Sequence, residues 1–437
     1  MPAKFNAAKI LRKIKPSKVD LARENSLSRN THLKGDNDID LFLLFDKKLN
    51  RPAFEKEGLR IGKNIFRGHH WEKAYSEHPY IRGTIKGFDV EIVPSYKIQD
   101  TSELQSAVDR TPFHTRYLQA HLKERQKDEV RLLKQFLKGI ECYGADLRVS
   151  SFSGYLVELL VLTYGGFKPV LKAASQWSEG EVIDLEKHYP GPKAAKKNFH
   201  KSALMVVDPI DKNRNVAAAL SPHQFSRFIA ASRAFLKKPS DKFFFGRKVR
   251  PWKIARVKKM LQAKELIAVE IGYPQKFIPD IMWGQLKRLG AKLESQLAFN
   301  DFRVYRHAAW TDEKKVMVVL IELENLVIQK VHKVKGPGVR LKEHSEKFLK
   351  KHARAVAGPR IENGHWVVET KRKYWDARAF LKDYLKKTKR EARVGLRTAL
   401  NKKGLVASEA DLIKLYRKNK DFQKFFTEYL EGKETFM

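Results

Sequence analysis

Cysteine and long apolar runs are scarce in this sequence, and each scarcity excludes a class of protein. The single cysteine, Cys142, excludes an internal disulfide and a cysteine-rich zinc site, and it fits a reducing cytoplasm. The longest apolar helix candidate, 155–164, is too short to span a bilayer and contains Glu158. The first residues, Met1 to Asn6, have no apolar signal core. We therefore expect a soluble, cytoplasmic protein with no membrane partner.

Acidic residues are also few relative to basic ones. Lys and Arg number 88 against 50 Asp and Glu, which gives the 437-residue chain a formal net charge of +38. An excess of this size predicts a polyanionic partner, nucleic acid before an anionic membrane. Adaptation to a hot or salty cell is the weaker explanation, because such adaptation usually adds acids as well as bases. A hydrophobic content of 42% predicts a globular protein of several domains.

What is present includes two acids at the start of an apolar strand. Asp38 and Asp40 stand two residues apart and are followed at once by the apolar run 41–45. Alternate side chains of a strand point to the same face, so both carboxylates share one face. Two like charges held together are costly unless a cation lies between them. A divalent metal with oxygen ligands, Mg²⁺ above all, is the usual cation.

A second acidic strand is predicted by a hairpin pattern over 79–93, with its turn at Gly87. On its second arm Asp89 and Glu91 share one face. Three carboxylates on neighbouring strands are a common scaffold for the two metal ions of nucleotidyl transfer. Asp38, Asp40 and Glu91 are therefore the candidate catalytic and metal-binding residues, and Asp89 is the alternative third ligand. For the Asp38/Asp40 pair alone, a polar turn and a strand cap would be the better explanation.

The remaining pattern mixes helices and strands, which predicts an α+β multidomain fold. The helical segments are 102–109, 113–139, 153–165, 221–237, 276–298, 340–352 and 374–388. The strands are Ala203 to Val207, 265–271, 301–309, 314–323 and 361–370, and segment 174–200 is predicted to be a loop. The stretch 381–437 is basic and aromatic.

Several ordered motifs resemble those of the archaeal-type (class I) tRNA CCA-adding enzymes. The resemblance begins with Arg29-Asn-Thr-His-Leu-Lys-Gly and Asp38-Ile-Asp40 before the apolar strand. It continues through 74–80, 90–97, 106–114, 129–138, 142–145, 152–160, 207–218, 363–366 and 371–377. Together these motifs cover about residues 8–390, and in sequence order they are far more specific than any one alone.

The resemblance implies a polymerase beta-like nucleotidyltransferase head, a helical neck, and an α+β body and tail. The expected domains are a head over 1–110, a neck over 111–215, a body over 216–262 and 381–437, and a tail over 263–380. The implied reaction is template-independent addition of C, C and A to the 3′ end of tRNA, from CTP and ATP with two Mg²⁺ ions. The implied partners are the tRNA acceptor stem and T arm, with a homodimer as the implied assembly.

The resemblance also implies roles for individual residues. By motif position Asp38, Asp40 and Glu91 would hold the metals, Ser26 and Arg29 would contact the triphosphate, and Arg214 would lie by the base. His114, Lys134 and Tyr143 would contact the phosphates or sugar of the nucleotide. Outside this context each of these nucleotide-site residues except Ser26 has an ordinary structural explanation, such as a solvated basic face for Arg29 and Lys134.

Three features depart from the family pattern. The lead before Ser26 is shorter, Asn25 replaces a glycine, and Glu91 replaces an aspartate. A glycine would let bare backbone approach the triphosphate, and one extra methylene moves the carboxylate of Glu91. Two alternatives to the CCA-adding reaction stay open. The chain could be a poly(A)-type RNA nucleotidyltransferase, or a catalytically impaired protein that binds the tRNA acceptor arm.

Overall fold

The structure is a computed structural model that describes residues 20–437, apart from 24–25, 27–28, 37, 76, 200–201, 275–276, 393 and 403. Asn25 and the segment before residue 20 therefore lie outside the described residues. The chain forms two compact units: the described residues up to Arg247 together with Glu434–Met437, and Lys248–Lys433. The four-domain division stays a prediction, because this coarser split does not test it.

The first unit begins with a five-stranded sheet in the order β1-β2-β5-β4-β3. Its strands are β1 (Asp20–Arg23), β2 (Asp38–Asp46), β3 (Trp71–Tyr75), β4 (Pro79–Ile85) and β5 (Phe88–Lys97). Strands β2 and β5 run parallel at the centre, and β4 pairs with β5 as the predicted hairpin. Their apolar faces are buried, with Ile39, Leu41 and Ile92 fully enclosed. The acids stand near the starts of the central strands β2 and β5. The predicted strand and the predicted hairpin are both confirmed.

Helix α1 (Arg51–Ile65) packs on this sheet and was not predicted. Two interior glycines make the segment a weak helix former by local propensity. Both glycines serve close packing: a Cβ on Gly58 would lie 2.5 Å from Pro94 Cγ, and one on Gly62 would lie 2.8 Å from Ile81 Cγ1. Asn50 starts the helix by accepting the Ala53 amide at 3.0 Å.

Helices form most of the rest of the first unit, around a core of buried aromatic and aliphatic side chains. They are α2 (Thr111–His121), α3 (Glu124–Gly139), α4 (Gly154–Tyr164), α5 (Phe167–Ala174), α6 (Pro192–Asn198), α7 (Pro222–Lys237) and α8 (Lys242–Phe245). The predicted helix 113–139 is thus two helices. Leu122 is extended, and Gln126 caps the second helix by accepting the Lys123 amide at 3.0 Å. Short 3₁₀ turns at Thr101–Glu103 and Ala107–Arg110 replace the predicted helix 102–109.

The loop prediction for 174–200 is wrong. It contains strand β6 (Glu181–Ile183), which pairs parallel with β7 (Leu204–Asp208), and it also contains α6. Strand β8 (Asp211–Asn215) completes this small sheet. A three-residue strand is too short to show an alternating pattern, so no periodicity of the sequence predicts it.

The second unit contains two antiparallel sheets. One has the order β10-β11-β9-β15, and its strands are β9 (Glu265–Gly272), β10 (Val304–Thr311), β11 (Val316–Leu323) and β15 (Gly404–Ala407). The other has the order β12-β14-β13, and its strands are β12 (Val331–Gly338), β13 (Ala357–Glu362) and β14 (His365–Lys371). The helices are α9 (Ile254–Gln262), α10 (Pro279–Phe299), α11 (Lys342–Lys351), α12 (Ala377–Glu391), α13 (Val394–Lys402), α14 (Glu409–Lys418) and α15 (Lys420–Glu431).

The predicted single strand 361–370 is in fact a hairpin. Asn363 and Gly364 both have positive φ, at 48° and 75°, and form the turn between β13 and β14. Among the described residues, no helix combines the length and apolar character that crossing a membrane requires.

Candidate active site

Four carboxylates lie side by side on the two central strands of the first sheet. In the parallel pairing of β2 with β5, Asp38 is the partner of Asp89 and Asp40 is the partner of Glu91. Partners in register point to the same side of a sheet, so the four side chains share one face. A cleft of about 370 Å³ opens here, lined in part by Asp38, Asp89 and Glu91.

Burial and the repulsion between neighbouring acids raise the pKa of three of these carboxyl groups, Asp38, Asp40 and Glu91. Burial, followed by the charges of Glu91 and Asp38, raises the pKa of Asp40 to about 7, while the charge of Arg29 acts in the opposite direction. Burial also raises the pKa of Glu91, against the opposing charge of Arg82. Burial and the charges of Asp36 and Asp89 raise the pKa of Asp38 as well. The acidic face therefore concentrates negative charge, which the nearby arginines Arg29 and Arg82 offset only in part.

This donor set fits a hard divalent cation, because it consists of carboxylate oxygens and carries excess negative charge. Across the part of the chain that the structure describes, no three or more His, Cys, Asp or Glu side chains converge closely enough to hold a metal ion. The acids are adjacent and in register but not gathered around one point. The assignment of Asp38, Asp40 and Glu91 as metal ligands therefore stays a prediction.

Arg29, expected to contact triphosphate, is held by a buried acid. Its Nη2 lies 3.0 Å from Glu158 Oε2, its Nε lies 3.2 Å from Glu158 Oε1, and its Nη1 donates to Thr115 Oγ1 at 2.8 Å. The Glu158 side chain is fully buried on α4. Thr31 donates a short hydrogen bond to the same carboxylate. This two-pronged pair fixes the plane of the guanidinium.

Lys134 and Tyr143 lie next to this pair. Lys134 Nζ donates to the Thr31 carbonyl at 3.0 Å and lies 4.0 Å from Glu158 Oε1. Burial lowers the pKa of Lys134 and raises that of Tyr143. A Cβ on Gly154 would lie 3.2 Å from the Tyr143 hydroxyl and 3.7 Å from Lys134 Nζ, so both groups reach the bare start of α4. Lys134 and Tyr143 therefore lie close together, and their contact with a nucleotide stays a prediction.

His114 and Arg214 meet at a second buried acid, Asp208. His114 Nε2 lies 2.8 Å from Asp208 Oδ2, and Arg214 Nη1 lies 2.6 Å from the same oxygen. The Tyr155 hydroxyl donates to Asp208 Oδ1 at 3.1 Å, and the His114 and Tyr155 rings lie 4.0 Å apart. Residues expected at the sugar or phosphates and at the base are thus joined through one carboxylate.

Helices α2 and α4 connect the two clusters. Neighbouring residues of α2, His114 and Thr115, reach Asp208 and Arg29 respectively. One turn apart on α4, Tyr155 contacts Asp208 and Glu158 holds Arg29. Ser26 is half-buried, and its carbonyl accepts the Thr31 amide at 2.9 Å, which places it beside the Arg29 cluster.

Sequence reasoning did not assign Glu158, Asp208 or Tyr155 to the site. Glu158 offered one signal, because an acid in an otherwise apolar helix is rarely buried without a partner. Asp208 offered the same signal at the end of the apolar strand 203–207. The partners could not be named, because Arg29 lies 129 residues from Glu158, and His114 lies 94 residues from Asp208.

Family models match most of the chain, in three consecutive segments. Residues 6–114 match the nucleotidyltransferase domain, and residues 128–245 match the second domain of tRNA nucleotidyltransferase. Residues 262–408 match the C-terminal domain of CCA-adding enzymes. The acids of β2 and β5 lie inside the first segment. The second segment contains Glu158 and Asp208, the two buried acids that hold the cations. The fold and the family matches together define a nucleotidyltransferase of several domains, which confirms the predicted α+β multidomain class.

Curated relatives carry the assignment further. A CCA-adding enzyme of Methanosarcina mazei is 36% identical over 410 residues, covering 93% of this chain and 87% of that protein. A CCA-adding enzyme of Saccharolobus shibatae is 37% identical and covers 84% of both chains. The chain belongs to the family of archaeal-type CCA-adding enzymes. A solved structure of the Cid1 poly(U) polymerase is 17% identical with a TM-score of 0.41, covering 54% of this chain and 89% of that one, which is too distant to add to this assignment.

Proposed function

We propose that this protein adds C, C and A to the 3′ end of tRNA without a nucleic-acid template, using CTP and ATP. The observation that carries the proposal is the register of Asp40 with Glu91 on adjacent parallel strands. These acids lie inside a segment that matches the nucleotidyltransferase domain, in a chain of the CCA-adding family. The attacking group is the terminal hydroxyl of the tRNA, and the leaving group is pyrophosphate.

The acidic face would hold two Mg²⁺ ions through Asp38, Asp40 and Glu91, with Asp89 on the same face. When bound, such ions neutralise negative charge on the attacking and leaving oxygens. The carboxylates themselves supply the negative charge that attracts a cation to this face of β2 and β5. Because the pKa of Asp40 is raised to about 7 in the metal-free protein, cation binding and loss of the Asp40 proton are coupled.

The residues that surround the two buried acids, Glu158 and Asp208, would hold the nucleotide. Arg29 and Lys134 bring two positive charges against one negative charge on Glu158, which leaves net positive charge for a triphosphate. Ser26 and Tyr143 lie by this cluster and would donate hydroxyl hydrogen bonds. His114 would contact the phosphates or sugar. Arg214, whose side chain is 34% exposed, would reach the base.

The partner would be the acceptor stem and T arm of tRNA. An A-form helix offers phosphates and shape more than base edges, and the net charge of +38 suits such a surface. Only the family resemblance supports a homodimer, and sedimentation of the free protein tests that assembly directly.

One incubation tests the proposal. Purified protein is mixed with a tRNA transcript that ends before CCA, with labelled CTP and ATP, and with Mg²⁺. We expect ordered addition of two C residues and one A, followed by arrest. Long A tails would instead identify a poly(A)-type transferase. Tight tRNA binding without incorporation would identify an impaired acceptor-arm binder.

A further inference from the structure

Asp208 is a fully buried carboxylate at which four donors from different elements converge. His114 on α2, Tyr155 on α4 and Arg214 on β8 all contact it, at 2.8, 3.1 and 2.6 Å. The Ile210 amide also donates to its Oδ1, at 3.2 Å. Its side chain has no exposed surface, so it is unsuited to touch a substrate itself. Two of its partners, His114 and Arg214, are residues that the proposed function places against the nucleotide.

Asp208 stays ionised despite its burial. Burial alone would raise the pKa of Asp208, but the hydrogen bond from His114 and the charge of Arg214 outweigh it and lower the pKa. A buried carboxylate with a cationic partner holds that partner in one geometry, because breaking the pair would leave its own charge uncompensated. The Arg214 guanidinium is therefore fixed at Nη1, with its centre 6.0 Å from the ring centre of Tyr155, while the side chain remains 34% exposed.

A fixed arginine discriminates between bases by its chemistry. Arginine has hydrogen-bond donors and no acceptor. Cytosine N3 and adenine N1 are acceptors, whereas uracil N3 and guanine N1 carry a hydrogen. A guanidinium held in place can thus donate a hydrogen bond to C or A. With U or G its N–H groups would face another N–H donor, which is unfavourable. A guanidinium free to swing aside would lose this discrimination, because it could avoid the unfavourable contact.

We propose that Asp208 is a positioning residue that holds Arg214, and with it His114, so that the site selects C and A over U and G. This inference rests on the proposed function and adds to it the residue that fixes base choice. Asp208 touches neither nucleotide nor tRNA and acts through the arginine.

The test is the ratio of kcat/KM for CTP to that for UTP, on a tRNA that ends before CCA. In Asp208→Asn we expect this ratio to fall about tenfold or more, because one charge-assisted hydrogen bond is lost. The matched control is Asp211→Asn, three residues along the same hairpin. Asp211 pairs with Arg110 at 2.8 Å, so the control removes a comparable ion pair and should leave the ratio unchanged.

Two further variants keep the inference testable if Asp208→Asn folds poorly. Tyr155→Phe removes one hydrogen bond to the carboxylate without burying an unpaired charge, and we expect a smaller fall in the CTP/UTP ratio. In an Arg214→Ala background, either change should have no further effect on the ratio. This absence of additivity would mark action through Arg214.

A parallel loss of activity towards CTP and UTP, with the ratio preserved, would overturn the inference and leave Asp208 a structural residue. Full additivity with Arg214→Ala would overturn it as well. Wild-type protein that incorporates no nucleotide would overturn the proposed function and this inference with it. Active wild type with an unchanged ratio in both variants would overturn the inference alone.

Discussion

Arg29 and Glu158 form a two-pronged ion pair, with Nη2–Oε2 at 3.0 Å and Nε–Oε1 at 3.2 Å, between the segment before β2 and the middle of α4. The pair gives an arginine expected at the triphosphate a fixed orientation before any nucleotide arrives. The same carboxylate accepts from Thr31 and lies 4.0 Å from Lys134 Nζ. One buried acid thus organises two cations of the proposed nucleotide site, as Asp208 does for His114 and Arg214.

Removing the charge of Glu158 is expected to destabilise the fold. In Glu158→Gln, Arg29 and Lys134 would remain buried without their counter-charge, at a cost of about 3–5 kcal/mol. Urea denaturation followed by circular dichroism measures the loss. The matched control on a surface helix site is Glu124→Gln, whose exposed pair with Lys127 should contribute less than about 1 kcal/mol. Equal effects of the two changes would contradict this account of the pair.

Asp40→Asn is expected to stabilise the metal-free protein in a pH-dependent way. The folded-state pKa of about 7 lies above the ordinary 3.8, so the folded wild type binds the Asp40 proton more tightly than the unfolded chain does. Wild-type stability therefore falls as pH rises from 3.8 towards 7, by at most about 4 kcal/mol. Asparagine lacks this titration, so the stabilising effect of the substitution should be large at pH 8 and small at pH 4.5.

Melting temperatures in EDTA at the two pH values measure this difference. Asp46→Asn, at the exposed far end of the same strand, is the control for removing a carboxylate from β2. An equal effect of Asp40→Asn at both pH values would show that the pKa of Asp40 is not raised in the folded protein.

Glu91 and Asp89 compete for the role of third catalytic carboxylate, and we expect Glu91 to hold it. Glu91 is half-buried in register with Asp40, whereas Asp89 is exposed and accepts from Thr84 at 3.2 Å. Glu91→Gln should lower CMP incorporation by about 10²-fold or more, the scale of loss that a misplaced reacting group causes. Asp89→Asn should retain most of the activity. The reverse order of the two variants would move the assignment to Asp89.

Binding of tRNA should weaken steeply with salt. If six or more phosphates are neutralised, affinity should fall about 10³-fold or more between 50 and 200 mM KCl. Filter binding with a tRNA transcript gives the slope of log K against log salt. The Asp40→Asn variant should give the same slope, because the slope reports the phosphates that lysine and arginine side chains neutralise. A flat salt profile would contradict the proposed use of the net charge of +38.

Local patterns in the sequence predict the acidic strands well. The spacing of Asp38 and Asp40, the apolar run after them and the hairpin around Gly87 are short-range features, and the structure has them as β2, β4 and β5. The helix Arg51–Ile65 was not predicted because its two glycines are poor helix formers. Gly58 and Gly62 allow close packing against Pro94 and Ile81, which are near in space and distant in sequence.

The buried acids were not assigned because their partners, too, are distant in sequence. Nothing near Glu158 in the sequence indicates that it pairs with Arg29, and nothing near Asp208 indicates that His114 reaches it. Residue type alone supports the expectation that such acids have partners. Only the packing of α2 against α4 supplies their identity. The family resemblance named the cations of the site but not the carboxylates that hold them.

The most direct test of the central claim is mass spectrometry of the tRNA 3′ end after incubation with CTP, ATP and Mg²⁺. Wild-type protein should convert a transcript that ends before CCA into one product longer by C, C and A. Asp40→Asn should bind the same transcript with unchanged affinity and leave its mass unaltered. An unextended transcript with wild type, A tails of mixed length, or full extension by Asp40→Asn would contradict the account.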